Sequence, residues 1–270
     1  MRKHIIWLFL VSLVLIITLS ACSKDSTSSD PTEGDPNDPT YLQARAASEA
    51  MVDTILGGID YAIGMREFDG SGPMVARPAD TLFMTMYEDF WWEIRLEMEG
   101  EGGSMVASDS FRFEIAEDDY QDLPDSTTNA YEYRSKFEIE TANGDTTASA
   151  YAYETLRLDG LTEQELLITG SSSQEIAITM GSVEASMSNS GGLADIVFIM
   201  ADLDDEIDDH PQSGVLTLSA AINSSQAIGN LPALHFEWTL TVTFDEDGYH
   251  ARLESGDNYW EWDESWEDPA

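Results

Sequence analysis

Basic residues and cysteine are what this 270-residue chain has least of. It carries 12 Lys and Arg against 52 Asp and Glu, a formal charge of −40, and a single cysteine, Cys22. One thiol cannot form an internal disulfide, and it cannot build a thiolate metal site or a Cys-Xaa-Xaa-Cys redox centre. The lysines are Lys3, Lys24 and Lys136 alone. An acid excess of this size repels polyanions, so nucleic acid is excluded as a partner, and inorganic cations are the natural counterions. Acids are spread over nearly every segment, as they are on an exported surface adapted to salt, where screening reaches about 8 Å or less.

Motifs for chemistry are equally scarce. Of the histidines, His210, His235 and His250 lie outside the N-terminal 21 residues. None stands in an H-E-x-x-H spacing, and no G-x-S-x-G serine accompanies them. His235 and His250 fall on the polar face of strand-like runs. The densest acid run, Asp202, Asp204, Asp205, Glu206, Asp208 and Asp209, departs from the EF-hand loop because Ile207 stands where the sharp turn needs glycine. Two carboxylates about 5–10 Å apart suffice for glycoside hydrolysis, but 52 acids supply such pairs in any fold. No catalytic, cofactor-binding or metal-ligating residue is therefore assigned, and the chain is expected not to be an enzyme.

What the chain has in plenty begins at its first residues. Met1-Arg2-Lys3-His4 precedes an apolar run from Ile5 to Leu19, which ends in Leu19-Ser20-Ala21-Cys22. A run of 15 is short for a membrane span, which needs about 20 residues, and suits the apolar core of a signal peptide. The segment resembles a bacterial lipoprotein signal with its lipobox. The resemblance implies cleavage after Ala21, diacylglycerol on the Cys22 sulfur, and a fatty acyl group such as palmitate on the new amine. Two or more acyl chains make a stable anchor where one does not. Loss of Arg2 and Lys3 takes the formal charge to −42. Ser23 after the cysteine fits sorting to the outer membrane, so the expected location is the cell envelope, lipid-anchored, facing the periplasm or the exterior.

Residues 22–40 contain no large apolar side chain after Cys22 and read as a disordered Ser/Asp/Pro tether with a reach of about 25 Å. Residues 41–270 read as one domain. Its first part, 41–64, shows an apolar stripe at helical spacing (Leu42, Met51, Val52, Ile55, Leu56, Ile59, Ala62, Ile63), with Thr40 and Gln43 as a capping box and Gly64 as a stop. From Thr81 the period becomes two. Trp92–Glu99, Phe111–Ile115, Tyr131–Ile139 and Phe236–Phe244 alternate apolar with polar residues, as half-buried antiparallel strands do. Asn143-Gly144, Asp247-Gly248 and Gly256-Asp257 mark hairpins. Leu193–Met200, apolar on both faces, reads as a central strand covered on both sides.

The predicted fold is mainly β: an antiparallel sheet of about a dozen strands, curled, barrel-like or sandwiched, with one N-terminal α-helix packed on it. In outline it resembles the half-barrel of lipoprotein carriers. Trp92, Trp260 and Trp262 alternate with acids as core residues do, and Trp266 in the acidic tail is expected to be exposed. Three function classes follow. The first is a non-catalytic envelope module, binding or structural, with an unknown protein partner. The second is a carrier or sensor holding an apolar ligand in the curled sheet. The third is a hydrolase.

Overall fold

The structure is a computed structural model that describes residues 31–64, 81–86, 88–100, 102–199, 210–225 and 234–266. The signal segment, Cys22, most of the tether and the acid run at 202–209 lie outside the described residues.

The chain forms strand β1 (Thr32–Glu33), helix α1 (Pro39–Gly64) and strands β2 (Thr81–Met86), β3 (Trp92–Gly100) and β4 (Gly103–Ala116). There follow β5 (Asp119–Gln121), β6 (Ala130–Asn143), β7 (Thr146–Asp159), β8 (Glu165–Met180) and β9 (Val183–Ile199). The last four are β10 (Ser213–Ser224), β11 (Leu234–Asp245), β12 (Gly248–Ser255) and β13 (Asn258–Ser265). All join one sheet in the order β1-β13-β12-β11-β10-β9-β8-β7-β6-β4-β3-β2, with β5 as a side branch on β4. Every pairing is antiparallel except β1 with β13. The sheet curls without closing, and α1 packs on its inner face.

Local chemistry accounts for the elements. Asp38, rather than Thr40, caps α1: its Oδ1 accepts the Thr40 amide at 2.7 Å, and Pro39 occupies the first turn, where no amide is needed. The ordered chain also starts before residue 41. Thr32 and Glu33 pair with Asn258 and Tyr259, and the Gly34 amide donates to the Tyr259 carbonyl at 2.9 Å. The β6–β7 and β12–β13 hairpins each turn on two residues opened by a left-handed glycine, Gly144 and Gly256, with φ of 62° and 57°. That is the geometry of a type II′ turn, so Asn143 is the last paired residue rather than part of the loop.

The helix crosses the strands. Tyr41 stacks on Trp260 with ring centroids 4.9 Å apart, and the Arg45 guanidinium lies 4.9 Å from the centre of Trp262. Trp238 Nε1 donates to Ser48 Oγ at 3.0 Å, Gly58 rests on Glu154, and Tyr61 meets the edge of Tyr133 at 6.0 Å. Ile55 and Ile59 are buried beneath it, as the stripe predicts, whereas Leu42 is exposed and Tyr41 takes its place. On β9 the alternation breaks at a bulge where Asp195 has φ of 53°. The bulge turns Leu193, Ile196 and Phe198 all inward and leaves Ala194 and Asp195 exposed, so this central strand is not covered on both faces.

Candidate functional site

Cross-strand register divides the inner face into rows that α1 separates. On one side of the helix lie Leu156, Leu216 and Val242, then Phe113, Tyr131, Leu158, Ile168 and Ile196, all buried with almost no exposure. On the other side lies a second set of rows. The nearer runs Ala107, Phe137, Ala152, Gln174, Asn189, Ala220, Trp238 across β4, β6, β7, β8, β9, β10 and β11. The next runs Met98, Met105, Ile139, Ala150, Ile176, Met187, Ile222, Phe236. Apart from Gln174 and Asn189 this second half is apolar too, yet most of its side chains are only half-buried and Met98 is 41% exposed. Strand β1 begins at this end of the sheet, beside the β12–β13 hairpin, so the chain enters next to the uncovered half.

A polar row lies between the two halves, at the C-terminal end of the helix. Asp109, Ser135, Glu154 and Ser172 sit side by side on β4, β6, β7 and β8. Tyr133 donates its hydroxyl to Asp109 Oδ1 at 2.9 Å. A β-carbon at Gly58 would stand 2.7 Å from Glu154 Oε2, so the helix backbone lies on the carboxyl group. Burial, with Asp109 adding to it, pushes the Glu154 carboxyl up to about 7. Burial also pushes the Tyr131 and Tyr133 phenols up. Tyr131 is fully buried, and its hydroxyl has no hydrogen-bond partner among the described residues. Further along the nearer apolar row, Asn189 donates to Gln174 Oε1 at 2.9 Å.

The outer face is chemically different. Hydroxyls of Ser173, Ser188, Ser190 and Ser219 with Glu175 and Glu237 line a shallow groove of about 690 Å³. Nearer β5, Arg112 pairs with Glu132 at 2.9 Å, and Arg157 bridges Glu114, Glu132 and Asp159 at 2.7, 3.1 and 2.8 Å. Trp91 is buried between the guanidinium groups of Arg112 and Arg134, which lie 4.8 and 4.0 Å from its ring centre. A cation over an aromatic face contributes about 0.5–2 kcal/mol, so these scarce arginines fasten the sheet edge.

The residues singled out in the sequence are placed as follows. His235 pairs with Asn223 and lies 3.3 Å from Glu237; His250 Nδ1 lies 2.8 Å from Asp263; His210 stacks on Trp266 at 4.6 Å. Trp266, expected to be exposed, is half-buried. It also stacks on Phe244 and donates Nε1 to the Asp245 carbonyl at 3.2 Å. Trp260 and Trp262 are buried in the core; Trp92 is half-buried and Phe90 exposed. Asp245-Glu246-Asp247 forms an Asx turn, with the Asp247 amide donating to Asp245 Oδ1 at 2.9 Å. Among the described residues, no group of three or more His, Cys, Asp or Glu is arranged to hold a metal ion.

The polar row is what reading the sequence missed. Asp109 stands two residues before Phe111, Ser135 two after Tyr133 and Glu154 two before Leu156, each an interruption of an apolar alternation. Only the register shows that the three interruptions are neighbours. No protein-family model, no curated protein and no solved structure matches this chain.

Proposed function

We propose that this chain is a lipid-anchored envelope protein, held at the membrane through Cys22, whose folded domain is a non-catalytic binding module. The anchor reading rests on Leu19-Ser20-Ala21-Cys22 and the apolar run before it. The binding reading rests on one observation: among the described residues, half of the apolar inner face is left half-exposed by a helix that seals the other half. Burying apolar area releases roughly 25 cal/mol per Å², so such a surface favours an apolar occupant. The carrier or sensor class therefore fits better than a purely structural role.

Two experiments test the two parts. Cys22→Ser is expected to abolish metabolic labelling with fatty acid and leave the precursor uncleaved; a variant still processed and membrane-bound would refute the anchor. The mature-length chain (residues 22–270, Cys22→Ser) is expected to enhance the fluorescence of the uncharged probe N-phenyl-1-naphthylamine. Phe137→Ser with Ile139→Ser is expected to remove that enhancement, and an unchanged signal in the double variant would refute the binding face.

A further inference from the structure

The half-exposed apolar half ends at the polar row, and that border has a particular chemistry. Glu154 is held under the helix backbone at Gly58 and makes no ion pair among the described residues. Asp109 lies two strands away in the same row, roughly 10 Å between backbones, with Ser135 between them. Three tyrosines stand over this end of the row. Tyr133 reaches Asp109, Tyr61 packs edge-on against Tyr133 at 6.0 Å, and Tyr131 stacks on Tyr133 at 6.5 Å. The Tyr131 hydroxyl is buried and without a hydrogen-bond partner among the described residues, and its ring lies behind Tyr133 in this group. Tyr61 is 47% exposed, and Asp109, Ser135 and Glu154 are half-buried, so this side of the group opens to the inner face, while the buried Tyr131 and Tyr133 close it from the core side.

Carboxylates beside aromatic faces are the surroundings that organic cations prefer, since an ammonium group gains from both the charge and the ring quadrupole. Rings and acids of this kind do not suit a carboxylate or phosphate head, and a net charge of −40 disfavours either. The apolar rows next to the cluster accept a chain. From this juxtaposition we infer that the inner face binds an amphiphile with an ammonium head, the head held by Glu154 and Asp109 among Tyr61, Tyr131 and Tyr133, and the tail laid on Ala107, Phe137 and Ile139. This inference rests on the reading of the uncovered half as a binding face.

Burial keeps the Glu154 carboxyl protonated up to about pH 7, so a bound ammonium group would displace that proton. The titratable group acting on Glu154 is Asp109, to which Tyr133 donates its hydroxyl, while Ser135 and Ser172 flank Glu154 on the sheet and the backbone at Gly58 covers it. The Tyr133 phenol is raised by burial far above this range, which leaves the carboxyls to supply the proton.

The test uses the mature-length chain and three probes of equal tail length, decyltrimethylammonium, 1-decanol and decanoate, below their micellar concentrations, by titration calorimetry. The ammonium probe is expected to bind about tenfold more tightly than decanol, and decanoate more weakly than either. Near pH 7, binding of the ammonium probe is expected to release about half a proton, read from buffers of different ionisation enthalpy. Glu154→Gln is isosteric, and Glu154→Gln with Asp109→Asn removes both charges. The preference and the proton release are expected to vanish in these variants. Both are expected to survive in Glu175→Gln with Glu237→Gln, which makes the same charge change on the outer face. Equal binding of ammonium and decanol would overturn the head-group inference and leave the apolar face standing. A preference kept in the Glu154 variants would assign it to general surface charge and overturn the inference too. No binding of any probe would overturn both readings.

Discussion

The two halves of the inner face are built from the same pattern and meet different fates. On one side of α1, Leu158, Ile168, Ile196 and Leu216 are buried almost completely. On the other, Ala107, Phe137, Ile139 and Met187 occupy the same face of the same sheet and stay half-exposed. Period-two alternation says which side chains share a face; it says nothing about whether anything covers that face. Coverage is decided by where a single helix lies, and that is fixed by a few contacts: Tyr41 on Trp260, Ser48 on Trp238, Tyr61 on Tyr133. The sealed half holds the fold. A half-exposed apolar surface of this kind is what the proposed binding role would use.

If that division is right, the largest effect of any single truncation belongs to the sealed half. Ile168→Ala removes a fully buried side chain from the tightest part of the core and is expected to cost about 3–5 kcal/mol of unfolding free energy. Urea denaturation of the mature-length chain measures it. A cost near 1 kcal/mol would mean that the sealed half is looser than its burial indicates and that the two halves do not differ in kind.

Next in size is the border. The Glu154 carboxyl is raised in the folded protein from its ordinary 4.5 to about 7. A carboxyl raised on folding contributes its full share of stability below about pH 4.5 and loses it as the pH rises through about 7. The loss is on the order of 2–4 kcal/mol for a shift of this size. Glu154→Gln cannot ionise. It is expected to match the native chain near pH 4 and exceed it by that amount at pH 8, in paired urea titrations. Equal stability of the two at pH 8 would show that the carboxyl is well solvated and that the border is open water rather than a half-buried seam.

Much of this fold was legible from residue order, and the reasons are local. Alternation in Trp92–Glu99 and Phe236–Phe244, and the apolar spacing from Met51 to Ile63, depend on nearest neighbours in a strand or helix, and both elements form where that spacing predicts. Asp38-Pro39 is as local a helix-start signal as Thr40 with Gln43, and the Asp38 carboxylate takes the capping position because the proline fixes the first helical residue. The Asp195 bulge and the burial of Trp266 against His210 and Phe244 depend on partners far along the chain, and no local pattern carries them. The candidate site was the least legible part. Asp109, Ser135 and Glu154 are ordinary polar residues one at a time; they become a row only through the pairing of β4, β6 and β7.

The outer face supplies a smaller contrast with the border. Apart from Glu114 and Glu132, which the arginines pair, its acids are largely exposed and counterpart cations are few, so their mutual repulsion is spread widely and screened by salt. Raising NaCl to molar strength is expected to stabilise the mature-length chain by ~1 kcal/mol, a few degrees of Tm for a chain of this size. Glu154→Gln should leave that slope unchanged, because one carboxyl in 52 barely alters the general field. If calcium at fixed ionic strength reproduced the gain at a few equivalents, a specific cation site would replace general screening as the explanation.

The smallest expected change in stability is also the sharpest test of the comparison. Ile139 and Ile168 are the same residue type on the inner face of the same sheet, one in each half. Ile139 already touches water in the folded state, so truncating it removes less buried area and leaves no closed cavity. Ile139→Ala is expected to cost below about 1 kcal/mol, a fraction of the Ile168 effect. In the same variant, binding of the uncharged naphthylamine probe should fall severalfold, whereas Ile168→Ala, where it remains folded, should bind as the native chain does. A loss of stability without a loss of binding at Ile139 would invert the assignment, making the open half structural. Both effects absent would mean that Ile139 contributes to neither the fold nor the binding face.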